Sequence, residues 1–156
     1  DMDGSEKNVQ DNPLLWLTSY FGYTGNTFEI DDVPGSVQFE GLAADYDAVT
    51  AIDLSSQSLT TDFTSEFFKF PSLTSFNIKD NLITLLDSTD NNKLITLEAR
   101  DNNITTANLT NNISLTEVRI LNNNSLANIT GLSDLINLTI MDLRNCNFST
   151  IDLSAN

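Results

Sequence analysis

The chain has 156 residues, enough for one domain with a sizeable core, and carries 22 Asp and Glu against seven Lys and Arg, a net charge of −15. With one cysteine and no histidine, it has no internal disulfide, no histidine metal site and no Ser–His–Asp or Cys–His catalytic arrangement. The acidity argues against nucleic acid, whose phosphates want a basic surface, and no apolar run reaches the length of a membrane span.

Residues 1–11 are polar and loop-like and read as a disordered leader. No basic stretch followed by an apolar one opens the chain, so either the protein is intracellular or a targeting segment has been removed; the polar start without methionine favours the second, with the leader as its trimmed tether. That places the protein outside the cell or on its surface. Asp1-Met2-Asp3-Gly4 lacks the remaining ligands of an EF-hand loop, and no metal or cofactor is expected. Next, Asn12 suits a helix cap, Pro13 the first helical position and Gly22 the exit, which predicts a helix over about 13–21. Leu14, Leu17 and Phe21 share one face, with Trp16 and Tyr20 beside it. This helix is expected to cover the first repeat, because a stack of repeats must shield its ends. A Gly- and Asp-rich connector follows, with a short strand expected about 36–39, so that 12–48 form an N-terminal cap.

From Val49 onward one spacing recurs. Leu94, Leu97 and Ala99 are followed by Asn102, and the same pattern reads Val49/Ile52/Leu54 to Gln57, Leu73/Phe76/Ile78 to Asn81, Leu115/Val118/Ile120 to Asn123, and Leu138/Met141/Leu143 to Cys146. From Leu54 through Ile78, Ala99 and Ile120 to Leu143 the steps are 24, 21, 21 and 23 residues. Within Thr96-Leu97-Glu98-Ala99-Arg100 apolar and polar residues alternate, as a half-buried strand requires. One such strand cannot bury its apolar side alone, whereas stacked copies build a parallel sheet over a continuous core. Where the chain leaves the strand, inward-pointing backbone groups must be satisfied, and a buried amide can bridge neighbouring turns. Asn81, Asn102 and Asn123 therefore read as a structural ladder, with Cys146 in the same slot, buried and inert.

This LxxLxLxxN pattern resembles the leucine-rich-repeat (LRR) family, over about five repeats spanning 49–156. The resemblance implies an α/β solenoid, right-handed, with a parallel sheet on its concave face, a mostly irregular convex side and a helical N-terminal cap. Ile83/Leu86/Ser88/Asn91, Ile104/Ala107/Leu109/Asn112 and Phe148/Ile151/Leu153/Asn156 repeat the spacing inside a unit, so these units read as two extended turns with little helix. Leu126/Ile129/Leu132/Leu135 step in threes and resemble the internalin type, whose convex side is a 3₁₀ turn. Residues 62–70 are expected to add one short helical turn. These styles resemble secreted or cell-surface LRR proteins of bacteria. Val37 to Leu54 is similar to the N-terminal cap of plant-receptor-type LRR proteins, with Phe39 where that cap has tryptophan and Ala44 near its cysteine position. The family's cap disulfide is thus absent. The last repeat ends at Asn156 without a capping helix, which implies a longer parent chain or an end covered in a homo-oligomer.

The distribution of cations is the feature that bears on function. Residues flanking the inward positions point to the concave face. Their central column reads Asp53, Asn77, Glu98, Arg119, Asp142; the next reads Ser55, Lys79, Arg100, Leu121, Arg144; the one before reads Ala51, Ser75, Thr96, Glu117, Ile140. Four of the seven cations thus share one face. One reading is a cross-strand ion-pair mesh that keeps an open sheet soluble. The other is a binding surface for a protein or glycan, using Lys79, Arg100, Arg119 and Arg144, the acids Glu98, Glu117 and Asp142, and the apolar Leu121 and Ile140. The family's habit of binding on the concave face favours a non-catalytic recognition module. The alternative is a structural spacer that stacks through its C-terminal end. Asn-x-Ser/Thr triplets occur at Asn103, Asn108, Asn112, Asn123, Asn128, Asn137 and Asn147, a weak excess over the roughly four that so Asn-, Ser- and Thr-rich a chain yields by chance.

Overall fold

The computed structural model describes residues 38–40, 50–56, 58–59, 71–89 and 91–153. The expected leader, the helix at about 13–21, most of the connector and the helical turn at 62–70 lie outside the described residues. What is described is a parallel-strand β-solenoid. Nine three-residue strands run β1 (Gln38–Glu40), β2 (Ala51–Asp53), β3 (Ser75–Asn77), β4 (Leu85–Asp87), β5 (Thr96–Glu98), β6 (Thr106–Asn108), β7 (Glu117–Arg119), β8 (Asn128–Thr130) and β9 (Ile140–Asp142). They form a six-stranded sheet in the order β1-β2-β3-β5-β7-β9 and a three-stranded sheet, β4-β6-β8. All pairings are parallel except β1 with β2, which is antiparallel.

The larger sheet takes the register that the sequence spacing implies: Ile52, Phe76, Leu97, Val118 and Met141 are consecutive Cα partners. Their side chains point inward and, with Leu54, Ile78, Ala99 and Ile120, form one wall of the core. Ladder hydrogen bonds continue past the strands, from the N–H of Ile78, Ala99 and Ile120 to the carbonyls of Glu98, Arg119 and Asp142 at 2.8–2.9 Å. At strand entry Thr74, Thr116 and Thr139 each bond a carbonyl of the preceding coil through both N–H and hydroxyl.

The opposite wall corrects one expectation. It is not irregular: β4, β6 and β8 pair in register, with Leu86, Ala107 and Ile129 buried toward the larger sheet. The half-unit spacing of apolar residues places one inward side chain at each strand centre, and two facing rows of such residues zip both walls together. Past β8 the chain makes a 3₁₀ turn at Leu132–Asp134, entered through Gly131 at φ 80°. A Cβ at Gly131 would strike the backbone of Leu109 and Thr110 in the coil below, so this position needs glycine. That turn is the only helical element among the described residues, and the α/β character expected from the family is not seen in them. The half-unit after Phe148 forms no strand over 148–153, and Ile151 and Leu153 are about 40% exposed.

Each coil leaves the larger sheet through a left-handed residue. Ser56, Asp80, Asp101, Asn122 and Asn145 have φ between 54° and 59°. Asp and Asn tolerate that region better than other residues with a Cβ, and the corner they make aims the following side chain inward. After Asp80, Asp101 and Asn122 the following residue is the ladder asparagine. Asn102 donates from Nδ2 to the carbonyls of Ile78, Ala99 and Arg100 and accepts at Oδ1 from the Ile83 N–H. Asn81 and Asn123 repeat the arrangement one coil down and one coil up. Cys146 stands next in line, its Sγ 3.4 Å from the Ile120 carbonyl. It is half-buried rather than sealed, packed against the edge of the core. At the exit of the smaller sheet, buried Asn112 bonds both the hydroxyl and the carbonyl of Ser88.

Candidate functional site

The outer face of the larger sheet brings the three expected columns into adjacent rows, with strands about 4.8 Å apart. It carries Asp53, Glu98, Glu117 and Asp142 against Lys79, Arg100, Arg119 and Arg144. Over these three columns the charges balance, four acids against four cations, in a chain of net charge −15.

The arrangement changes along the solenoid. On β2 and β3 the central column holds short side chains that fold onto their own backbone. Asp53 accepts from the Ser55 N–H and from Asn77 Nδ2, and Asn77 accepts from the Lys79 N–H. On β5 and β7 the same column holds Glu98 and Arg119, long enough to cross between strands. Glu98 lies between two arginines, with Oε1 3.6 Å from Arg100 Nε and Oε2 3.9 Å from Arg119. The first pair of atoms is buried and meets as an ion pair without a hydrogen bond to either. Arg119 also contacts Glu117, and Arg100 reaches Asp101 at 3.7 Å. Burial pushes the Glu98 carboxyl above the usual glutamate range, against the opposing pull of Arg100, Arg119 and Lys79. On β9, Arg144 grips Asp142 with two parallel bonds, 2.9 and 2.7 Å, which hold the Asp142 carboxyl below its usual range.

A shallow depression of about 320 Å³ lies over β3, β5 and β7, with Ser75, Asn77, Lys79, Thr96, Glu98, Glu117 and Arg119 on its walls. Thr96 donates its hydroxyl to that of Ser75 at 3.0 Å. Leu121 sits half-buried between the Arg100 and Arg144 rows, and Ile140 is 43% exposed beside Glu117. Among the described residues no cluster of acidic or cysteine side chains is arranged to hold a metal ion.

The sequence matches no protein-family model and no curated protein.

Sequence reading placed the columns on one face but missed two features. Lys79 differs from the arginines: among the described residues its ammonium forms no ion pair, while each arginine has at least one. A side-chain ladder also runs along the left-handed corners, from Asn145 to Asn122 and from Asn122 to Asp101, at 2.6–2.7 Å. The signal for that ladder was present, since every ladder asparagine from Asn81 to Asn123 is preceded by Asp or Asn.

Proposed function

We propose that this chain is a non-catalytic recognition module of LRR type, secreted or displayed on a bacterial cell surface, that binds a protein partner through the outer face of its larger sheet. In this reading that face is the concave one of a right-handed solenoid with a helical N-terminal cap. The observation that carries the reading is the gathering of four of the seven cations, interleaved with four acids, on one open sheet. Arginine in fixed carboxylate pairs beside exposed Ile140 and half-buried Leu121 suits a protein surface, where anchors of mixed chemistry recur. A non-catalytic role is supported by the absence of histidine and by the state of Cys146, whose thiol burial pushes above the ordinary cysteine range. Among the described residues no helix is long and apolar enough to cross a membrane.

The test changes Lys79, Arg100, Arg119 and Arg144 together to Ser. Wild type and variant, shown by circular dichroism to be equally folded, are immobilised and offered cell-surface extract and a glycan panel. A protein retained by the wild type and lost by the variant supports the reading. Equal retention by both removes it.

A second reading, a spacer that stacks end to end, is favoured by the partial exposure of the β9 coil among the described residues. Met141, Leu143 and Phe148 pack on the core but are only half-buried, whereas Val118 and Ile120 one coil earlier are fully buried. Sedimentation that detects a dimer, abolished by Met141→Glu, would support it.

A further inference from the structure

From the depression over β3, β5 and β7 we infer that its anchor is Lys79, and that it takes a single carboxylate from an extended, otherwise neutral segment of the partner protein. The inference rests on the recognition reading above and adds which residue binds and what chemistry it binds. Any carboxylate that approached Arg144 would have to displace Asp142 from a two-bond pair of 2.9 and 2.7 Å. At Arg119 it would compete with both Glu98 and Glu117, and at Arg100 with Glu98 and Asp101. Those guanidinium groups are spoken for. Lys79 stands on the rim of the same depression with no ion pair among the described residues; Glu98 attracts it only from a distance, so its three donors stay open to an incoming anion.

The surroundings select the rest of the ligand. Thr96 donates its hydroxyl to Ser75, which leaves the Ser75 hydroxyl to donate outward, four residues along the chain from Lys79. At about 3.3 Å per residue that spans roughly 13 Å, the reach of four residues of an extended peptide. A carboxylate on Lys79 and a backbone carbonyl on Ser75 fit one such segment. Glu98 and Glu117 on the opposite wall discourage a run of acids, so a single carboxylate within a neutral stretch fits best. The three outward columns hold no aromatic ring on which a sugar could stack, which favours a peptide over an acidic glycan.

The test titrates the isotope-labelled full chain, followed by NMR, with acetyl-Ala-Ala-Glu-Ala-Ala-amide, with its Gln counterpart, and with trigalacturonate. The expected result is binding of the Glu peptide at millimolar concentration, with shifts centred on Ser75, Asn77, Lys79 and Thr96. The Gln peptide and the Lys79→Met variant should each weaken it by about tenfold or more, the loss of one charge-assisted hydrogen bond. Lys79→Arg should restore it, and Arg144→Met should leave it within about twofold. No binding, equal binding of the Gln peptide, undiminished binding by Lys79→Met, or binding of trigalacturonate alone would overturn the inference. The two proposals separate in the capture assay. A partner kept by Lys79→Met but lost by the four-site Ser variant leaves the recognition face standing and removes Lys79 as its anchor; a partner kept by both removes both.

Discussion

The two sheets are built from the same coils by the same spacing, yet their outer faces differ. On the smaller sheet the outward positions are short, and they bond within their own framework: Asp87 accepts from the N–H and hydroxyl of Thr89, and Asn108 from those of Thr110 and from the Thr130 hydroxyl. On the larger sheet β2, β3 and β9 do the same with Asp53, Asn77 and Asp142, which accept from the Ser55, Lys79 and Arg144 N–H, whereas β5 and β7 carry the long charged Glu98 and Arg119 in their place. A short Asp or Asn is therefore sufficient to satisfy the backbone where a strand ends. The arginines are surplus to what coil closure requires, and that surplus is the structural ground for giving them a role outside the fold.

Substitutions can break this contrast, and the largest effects belong to the shared framework. Leu97→Ala, at a fully buried wall position, should cost about 3–4 kcal/mol in denaturant unfolding. Asn102→Ala should approach that, about 3 kcal/mol, since three carbonyls and one N–H lose their buried partner together. A loss below about 1 kcal/mol for Asn102→Ala would mean that water replaces the amide and that the ladder is dispensable. Gly131→Ala should cost about 2 kcal/mol or more, from the left-handed φ and the collision with the coil below, read from the same unfolding curves.

Charge changes on the larger sheet should do much less. Arg119→Met should shift stability by less than about 1 kcal/mol, because its side chain is 41% exposed, and Arg100→Met by somewhat more, because its Nε is buried against Glu98 Oε1. Glu98 and Asp142 should pull the pH profile in opposite directions. The folded-state affinity of Glu98 for a proton is raised, so its contribution to stability is greatest below the unfolded glutamate range and is lost as pH rises through its folded value. The affinity of Asp142 is lowered, so its contribution is present above the unfolded aspartate range and is lost as pH falls through its folded value. Glu98→Gln should remove the first component from a pH series of thermal unfolding, and Arg144→Met the second. Arg144→Met at neutral pH should be the smallest stability change of all.

How far the fold is legible in the sequence follows from the same contrast. Steps of 24, 21, 21 and 23 residues are enough to place Ile52, Phe76, Leu97, Val118 and Met141 in one row, since each inward position must meet its equivalent across the sheet. The second sheet was harder to see. Its strands have one buried residue each, flanked by Leu85 and Asp87, Thr106 and Asn108, or Asn128 and Thr130, and three residues give a period of two no room to show. At β8 the spacing in threes points to the 3₁₀ turn that follows and hides the strand before it. Alternation about Leu97 and its equivalents assigns the charged columns to one face, but not which charges pair. Glu98 reaches both Arg100, two residues past it on its own coil, and Arg119 on the next strand because its side chain is long enough to choose, and spacing carries no information on that choice. The distinct position of Lys79 emerges only once those choices are known.

The central claim is that the outer face of the larger sheet meets the partner. The most direct measurement labels lysines with an acylating reagent and arginines with phenylglyoxal, with and without the captured partner bound, and reads each site by mass spectrometry. Lys93, exposed and outside the three columns, serves as the internal control. The account predicts that Lys79, Arg100, Arg119 and Arg144 lose reactivity on binding while Lys93 keeps it. Protection of Lys93 with the four face residues unchanged would contradict it.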